Sequence, residues 1–179
     1  AINNEEDESQ DFPVIISVGR LNIDKGHQFI ISAWDNIKER FPNSKLLIIG
    51  TGKYETELRE ISKKSSNSNS IIFMGYRNDL PIIYSKADLF FRGSINEGAN
   101  LSTIYAHAAG LPVIGFENNI YGECIIDKKN GILLKSKSVA EICDAVTTIF
   151  DIKSNNIYNS NYSISSSYNL DESAIKHTE

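Results

Sequence analysis

The chain has 179 residues, 41% hydrophobic and 23% charged, which is enough for one well-packed domain and too few for two full ones. Its net charge is −5. The first eleven residues contain five of the 23 acids and none of the 18 bases, so acids and bases are equal in number in the rest of the chain. The chain has no basic excess and no apolar run long enough to cross a membrane, so we expect neither a nucleic-acid partner nor a membrane span. It also has no signal-peptide pattern and no clustered histidines or cysteines, so we expect neither a secretion signal nor a metal site.

The first predicted strand follows an acidic tail or linker, residues 1–12. The run from Val14 to Val18 is rich in β-branched residues and lacks polar alternation, which is typical of a strand covered on both faces of a parallel sheet. A helix is predicted next, ending at Pro42. Its apolar face comprises Ile30, Ala33, Trp34, Ile37 and Phe41.

Strands and helices then alternate along the chain. Five further strands are predicted at Lys45 to Gly50, Ile71 to Met74, Leu89 to Phe91, Pro112 to Gly115 and Ile132 to Leu134. This alternation implies right-handed crossovers and an α/β fold, a Rossmann-like three-layer sandwich with a mostly parallel six-stranded sheet. The expected domain spans residues 13–152, and a polar segment with a short final helix spans 153–179.

The intervening helices have recognisable ends and faces. One carries Tyr54, Leu58 and Ile61; the next is capped by Asn78 or Asp79, with Pro81 in its first turn. A third, closed by Gly110, presents Leu101, Ile104, Tyr105 and Ala108. The last begins with a capping box and buries Val139, Ile142, Val146 and Ile149.

Four segments fall at the carboxyl ends of predicted strands, where α/β folds bind ligands. They are Gly19 to Lys25, Gly50 to Gly52, Gly75 to Arg77, and Glu97 to Ser102. In the first, Arg20 and Lys25 put two cations on one loop, suited to gripping phosphate. Each segment alone is also compatible with a solvated loop or a plain turn, so their clustering at one sheet edge carries the prediction.

The segment Asn96 to Gly110 delivers one acid, Glu97, to a loop of small residues that opens straight into a helix. The free N–H groups at the start of a helix favour negative charge in front of them. The carboxylate accepts hydrogen bonds from hydroxyls. Anion and polyol together indicate a sugar joined to phosphate, although an ordinary strand-to-helix turn with an exposed Glu is the open alternative.

The order of these motifs resembles a known enzyme family. The runs VGRLNIDKG, KLLIIGTGKYETEL, IIFMGY, ADLFFRGSINEGANLSTIYAHAAGLPVIG and NGILL follow one another as in GT-B glycosyltransferases. The chain resembles the C-terminal, nucleotide-sugar-binding half of the large retaining family four (glycosyl transferases group 1). The resemblance covers residues 13 to 150.

The resemblance implies roles for individual residues. Arg20 and Lys25 would bind the donor diphosphate and stabilise its growing charge, and Glu97 would contact the donor sugar's hydroxyls. The remaining donor-binding residues implied are Gly19, Gly52, Tyr76, Arg77, Gly98, Ala99, Asn100, Leu101, Ser102 and Tyr105. The donor would be a UDP- or GDP-sugar, and the family requires no metal or other cofactor.

Two residues depart from the family pattern. Tyr105 stands where the family has a second Glu, which commonly holds the ribose; a phenol is neutral and both donates and accepts. A Tyr packed in the core is the equal alternative. Asn100 replaces a usual Gly, and Asn tolerates unusual backbone angles better than most residues.

The resemblance also implies a missing half, since GT-B enzymes carry the acceptor site on a separate N-terminal domain. We expect a fragment that binds a nucleotide diphosphate but transfers nothing to its glycan, lipid or protein acceptor. A degenerate, non-catalytic binding module is the alternative, and Tyr105 favours it. Free Cys124 and Cys143 suit a reducing compartment, so a cytoplasmic enzyme is expected, with possible peripheral association with the inner membrane face.

Overall fold

The computed structural model describes residues 13–94, 101–117, 125 and 129–154. Within them, six strands form one sheet in the order β3–β2–β1–β4–β5–β6, and every adjacent pair is parallel. The strands are β1 (Val14–Val18), β2 (Lys45–Ile49), β3 (Ile71–Gly75), β4 (Leu89–Arg92), β5 (Val113–Phe116) and β6 (Gly131–Leu134). The six predicted strands and their parallel arrangement are confirmed.

In the described part of the chain, six α-helices connect and cover these strands. They are α1 (His27–Ser32), α2 (Trp34–Arg40), α3 (Glu55–Lys63), α4 (Leu80–Ser85), α5 (Leu101–Ala108) and α6 (Val139–Ser154). Where one helix was predicted before Pro42, two consecutive helices occur, because the backbone of Ala33 opens to φ −87° and ψ −5°. The predicted face is nevertheless buried: Ile30, Ala33, Trp34 and Ile37 are at most 2% exposed.

Two apolar cores lie on opposite faces of the sheet, which confirms the three-layer sandwich. One core joins the sheet to α1, α2, α3 and α6, with Trp34 and Val146 among its fully buried residues. The other joins the sheet to α4 and α5 through Ile83, Tyr84 and Ala106. A strand covered on both faces gains from apolar residues at every position, and this explains why β1 reads as a continuous apolar run.

The predicted apolar face of α5 is wrong. Thr103 and Ala106 are fully buried, whereas Leu101 is 64% and Tyr105 is 53% exposed. The helix packs its small residues against β4 and β5 and leaves its larger side chains outside. Helical spacing points to the more apolar stripe, whereas the structure buries the stripe with the smaller residues.

The predicted helix ends are correct in position and differ in detail. Gly110 ends α5 with φ +75°, as expected of a C-terminal glycine. The Ser138 hydroxyl accepts a hydrogen bond from Glu141 N–H at 3.2 Å, but the Glu141 carboxylate accepts from the N–H groups of Lys135 and Ser136 rather than from Ser138. Asp79 precedes α4 without capping it through its side chain.

Several predictions lie outside the described residues: the acidic tail 1–12, the final helix and the loop Glu97 to Asn100. Among the residues the structure does describe, no helix is both long enough and apolar enough to cross a membrane.

Candidate functional site

The candidate site lies between β1 and β4, where the chain reverses its direction of travel across the sheet. From β1 the chain proceeds outward to β2 and β3, then returns to place β4 on the other side of β1. At such a switch point the loops after the two strands diverge and leave a crevice at their carboxyl ends. The loop after β1 carries Gly19, Arg20 and Lys25, and the residues after β4 include Gly93 and Ser94.

The loop after β1 is held by close backbone packing. A Cβ built on Gly26, whose φ is +70°, would lie 2.1 Å from the carbonyl oxygen of Gly93. A Cβ on Gly52 would lie 2.3 Å from the carbonyl oxygen of Leu21, which also accepts a hydrogen bond from Tyr54 N–H at 2.8 Å. Glycine is therefore required at both contacts, and the loop bearing Arg20 and Lys25 is fixed from two sides.

An open cavity of about 200 Å³ occupies the crevice. It is smaller than the roughly 300 to 1,000 Å³ of typical ligand pockets, so it accommodates part of a nucleotide sugar and not all of it. Its described lining comprises Ser17, Val18, Gly19, Arg20, Lys25, His27, Phe90, Phe91, Arg92, Gly93, Ser94 and Ser102. The first and fourth predicted segments thus meet here, the fourth through Ser102 alone.

The described lining of the cavity is rich in basic side chains, and one of them, Lys25, has its Nζ 3.8 Å from a carboxylate oxygen of Asp24. Arg20, Lys25 and Arg92 line it, and no acid does so among the described residues. Burial lowers the pKa of Lys25, and the positive charges of Arg20 and Arg92 also lower it, whereas Asp24 raises it. Three basic side chains at a partly desolvated crevice favour the binding of an anion.

A buried imidazole lies beneath the Arg20 loop. His27 is 2% exposed, its Nδ1 lies 2.8 Å from Ser17 Oγ, and its Nε2 lies 3.3 Å from the carbonyl oxygen of Arg20. Burial lowers the pKa of His27 to about 4, so the ring is neutral near pH 7. A carbonyl only accepts, so Nε2 donates to Arg20, and the Ser17 hydroxyl donates to Nδ1.

Sequence reasoning missed His27 and Arg92. Nothing in the spacing singles out His27, and a hydrophobic strand ending in Arg92 reads as ordinary. The one available signal was the position of Arg92 at the carboxyl end of a buried strand.

The second and third predicted segments lie at the same sheet edge but outside the described lining of this cavity. Gly52 supports the Arg20 loop from behind, as described above. Tyr76 is 79% exposed after β3, at the edge of the sheet. Arg77 Nε and Nη2 donate to the Asp79 carboxylate at 2.8 and 2.6 Å, so its guanidinium already has a bidentate partner.

Tyr105 faces a second cleft, between α4 and α5. Tyr105 is 53% exposed. The alternative that Tyr105 is packed in the core is therefore wrong. The Tyr84 hydroxyl in this cleft donates to the carbonyl oxygen of Ser102 at 3.1 Å, and burial raises the pKa of Tyr84 to about 12. The described lining of the cleft comprises Asn78, Leu80, Pro81, Tyr84, Ser85, Tyr105, Ala108 and Ala109.

The remaining predicted site residues are Glu97, Gly98, Ala99 and Asn100, which precede α5 outside the described residues, and Leu101, the first residue of α5. Within the described part of the chain, no group of three or more His, Cys, Asp or Glu side chains could hold a metal ion. The expectation that no metal takes part stays a prediction.

Comparison with known proteins identifies the family. The family model described as "Glycosyl transferases group 1" matches residues 1–163, so the chain belongs to this family. Its fold is that of one Rossmann-like half of a GT-B glycosyltransferase. Both expectations from the sequence are confirmed.

Solved structures with this fold include the C-terminal domain of a glycosyl transferase group 1 family protein (LpcC) from Francisella tularensis. It is 25% identical with a TM-score of 0.73, and the match covers 83% of this chain and 80% of that one. The pneumococcal O-GlcNAc transferase GtfA, in complex with UDP and GlcNAc, is 27% identical with a TM-score of 0.70; the match covers 82% of this chain and 29% of that chain.

A relative from Mycobacterium tuberculosis is named GDP-mannose-dependent alpha-(1-6)-phosphatidylinositol monomannoside mannosyltransferase. It is 27% identical over 146 residues, which are 76% of this chain and 38% of the relative. The chain spans between a quarter and two fifths of the length of the first relatives it matches.

Proposed function

We propose that this chain is the donor-binding part of a retaining hexosyltransferase that uses a UDP- or GDP-sugar. The observation that carries the proposal is the cavity at the switch point, whose described lining includes the basic side chains of Arg20 and Lys25 and no acid. A diphosphate is a compact, highly charged group that fits its size and sign. The nucleoside and the sugar extend beyond it.

Arg20 and Lys25 bind the two phosphates in this proposal. Arg20 presents a planar fork that can hold two phosphate oxygens, and Lys25 supplies a point charge. The side chain of Lys25 is only 13% exposed, so its charge acts in a poorly solvated place. Gly19 lets the ligand approach the backbone, and the N–H groups of Leu101 and Ser102 at the start of α5 add further donors.

The sugar and nucleoside positions follow the family pattern. Glu97 accepts hydrogen bonds from the donor sugar's hydroxyls, on the loop formed with Gly98, Ala99 and Asn100. Tyr76 and Arg77 lie near the base, and Tyr105 takes the ribose position. Gly52 acts indirectly, because its close contact with Leu21 sets the shape of the Arg20 loop.

The named ligands of relatives support a nucleotide-sugar donor, since one structure holds UDP and one relative depends on GDP-mannose. We propose that the acceptor, a glycan, lipid or protein, binds a second domain outside this chain. We further propose that the complete enzyme acts in the cytoplasm and associates peripherally with the inner membrane face.

Calorimetric titration of the 179-residue chain with UDP, GDP, UDP-glucose and GDP-mannose tests this proposal. One nucleotide series should bind, and Arg20→Met and Lys25→Met should each weaken it by about tenfold, the loss of one charge-assisted contact. The control Lys45→Met removes a charge at the start of β2, the opposite end of the strands, and should change affinity by less than about twofold. No heat with any nucleotide would overturn the proposal.

A second candidate function, a degenerate binding module without catalysis, rests on Tyr105. This phenol stands where the family has a carboxylate and is half exposed. If the module is degenerate, Tyr105→Glu should restore a ribose contact and bind nucleotide much more tightly. Unchanged binding, together with turnover in the full-length protein, would exclude degeneration.

A further inference from the structure

His27 is a buried polar side chain to which the proposed donor binding assigns no role. It is the first residue of α1 and only 2% exposed, yet it lines the cavity between β1 and β4. A Cβ built on Gly19 would lie 3.8 Å from Nε2 of the ring, in ordinary van der Waals contact. The imidazole therefore packs directly beneath the loop that carries Arg20.

The backbone on either side of Arg20 is bonded to the end of β2. Gly19 N–H donates to the carbonyl oxygen of Ile49 at 3.0 Å, and Leu21 N–H donates to that of Thr51 at 2.9 Å. Alternate residues of an extended segment direct their backbone groups to opposite sides, so the carbonyl of Arg20 points away from β2. On that side of β1 lie β4 and the cavity.

Among the described residues, two donors cover the Arg20 carbonyl oxygen. Asn22 N–H donates to it at 2.8 Å, and His27 Nε2 donates to it at 3.3 Å. A carbonyl oxygen that faced a bound anion would repel it, because the oxygen is the negative end of the peptide dipole. The donor from His27 satisfies this oxygen and keeps it on the protein side of the cavity.

Ser17 determines which ring nitrogen carries the proton. Its Oγ lies 2.8 Å from Nδ1 of His27 in a buried contact. A neutral imidazole has one donor nitrogen and one acceptor nitrogen. Because the hydroxyl donates to Nδ1, the proton stays on Nε2, the nitrogen that meets the Arg20 carbonyl.

We propose that His27 is a positioning residue for the donor diphosphate. Its Nε2 holds the Arg20 carbonyl oxygen away from the anion and keeps the loop in the conformation in which Arg20 lines the cavity. Ser17 supports this role by fixing the tautomer of the ring. The role rests on the proposed function of the chain, in which the Arg20 loop binds phosphate.

Two ring substitutions separate positioning from general stability. His27→Phe replaces the imidazole by a ring without nitrogen atoms, and calorimetric titration should show at least about tenfold weaker binding of the nucleotide that wild type binds, UDP or GDP. Trp34→Phe is the matched control, since fully buried Trp34 donates from Nε1 to Ser70 Oγ at 2.8 Å and lies outside the described lining of the cavity. It should lower the thermal unfolding temperature and change the affinity by less than about twofold.

His27→Gln tests the hydrogen bond itself. A glutamine amide can donate to the Arg20 carbonyl and accept from the Ser17 hydroxyl, so the affinity should fall by only about threefold or less. A histidine that merely fills space would not produce this rescue. Equal losses in His27→Gln and His27→Phe would refute the role; should His27→Phe not fold, Ser17→Ala replaces it and should weaken binding more than His27→Gln does.

The tautomer gives a reading that needs no ligand. In ¹⁵N NMR of the histidine-labelled chain at pH 7, the proton of the His27 ring should be on Nε2. A proton on Nδ1 would leave Nε2 unable to donate and would refute the role.

The outcomes distinguish two failures. If wild type binds no nucleotide, the proposed function itself fails, whatever the tautomer. If wild type binds and His27→Phe binds equally tightly, the positioning role of His27 is refuted and the donor-binding function stands.

Discussion

His27 links the interior of the domain to the loop that carries Arg20, which we propose binds phosphate. Its neutral ring bridges Ser17 on β1 and the carbonyl oxygen of Arg20, so the backbone position of Arg20 depends on a proton that Nε2 holds. Protonating the ring would bury a charge and remove the acceptor that the Ser17 hydroxyl needs. His27 therefore acts as a positioning residue, and it acts only while neutral.

The stability of the domain should depend on the protonation of His27. Because the pKa falls from 6.5 in the unfolded chain to about 4 in the native chain, the unfolded chain binds an additional proton between these values. The free energy of unfolding therefore keeps its full value above about pH 6.5 as far as His27 is concerned. It decreases by about 3 kcal/mol as the pH falls to 4. Urea unfolding from pH 7.5 to pH 4 measures it.

His27→Gln should make the free energy of unfolding less dependent on pH between about 6.5 and 4. His107→Gln, the same change at the other histidine of the described residues, should leave this dependence unchanged. A profile of equal steepness in wild type and His27→Gln would contradict the assignment.

Individual site residues differed in how far the sequence could predict them. The positions of Arg20 and Lys25 at the cavity follow from a glycine and two bases after a buried strand. Arg92 and His27 could not be found this way, because their places at the cavity depend on burial and, for Arg92, on pairing with β5. The position of Tyr105 in a cleft against α4 likewise depends on how α5 is rotated.

The loop between β1 and α1 is a rigid connection rather than a solvated turn. A single turn of 3₁₀ helix, Ile23–Lys25, is closed by Gly26 N–H donating to the Ile23 carbonyl oxygen at 3.3 Å. Gly26 then lies against the backbone at Gly93. Because two different elements meet at these glycines, the position of Lys25 relative to β4 is set by backbone contact.

Gly26→Ala should therefore cost more than a change of backbone preference alone. The new Cβ would collide with the carbonyl oxygen of Gly93 at 2.1 Å, so we expect a loss of about 3 kcal/mol or more in the free energy of unfolding. Gly110 has a similar φ of +75° and nothing within 4 Å of an added Cβ. As the matched control, Gly110→Ala should cost only about 1 to 2 kcal/mol.

Urea unfolding of the two variants gives the comparison, and equal losses would show that the contact with Gly93 is not tight. Nucleotide affinity should fall for Gly26→Ala and stay unchanged for Gly110→Ala.

The elements themselves were the most predictable part of the chain. Continuous apolar runs and a helix-ending glycine located all six strands and the end of α5, because these signals are local. Local sequence signals did not predict the orientation of α5 or the break between α1 and α2 at Ala33. In α5 the small residues Thr103 and Ala106 are buried against the sheet and the more apolar stripe with Leu101 and Tyr105 is exposed, so periodicity predicts the wrong face.

At the scale of the whole domain, the order of strands creates the site. Placing β4 beside β1 rather than beside β3 brings the loop with Arg20 and Lys25 against the residues that follow β4. Alternating strands and helices predicted the parallel sheet and its ligand-binding edge. The same pattern could not predict which loops share one cavity, since that requires the strand order. The Gly50 and Gly75 segments lie outside the described lining of the cavity.

The central claim is that a nucleoside diphosphate binds this chain at the switch point between β1 and β4. Amide NMR of the isotope-labelled chain titrated with UDP and with GDP tests it most directly. The account predicts that the amides of Gly19, Lys25, Gly93 and Ser102 shift together with one apparent dissociation constant, while those of Lys45 and Ile71 at the opposite sheet edge do not move. Shifts confined to other parts of the chain, or no shift with either nucleotide, would contradict it.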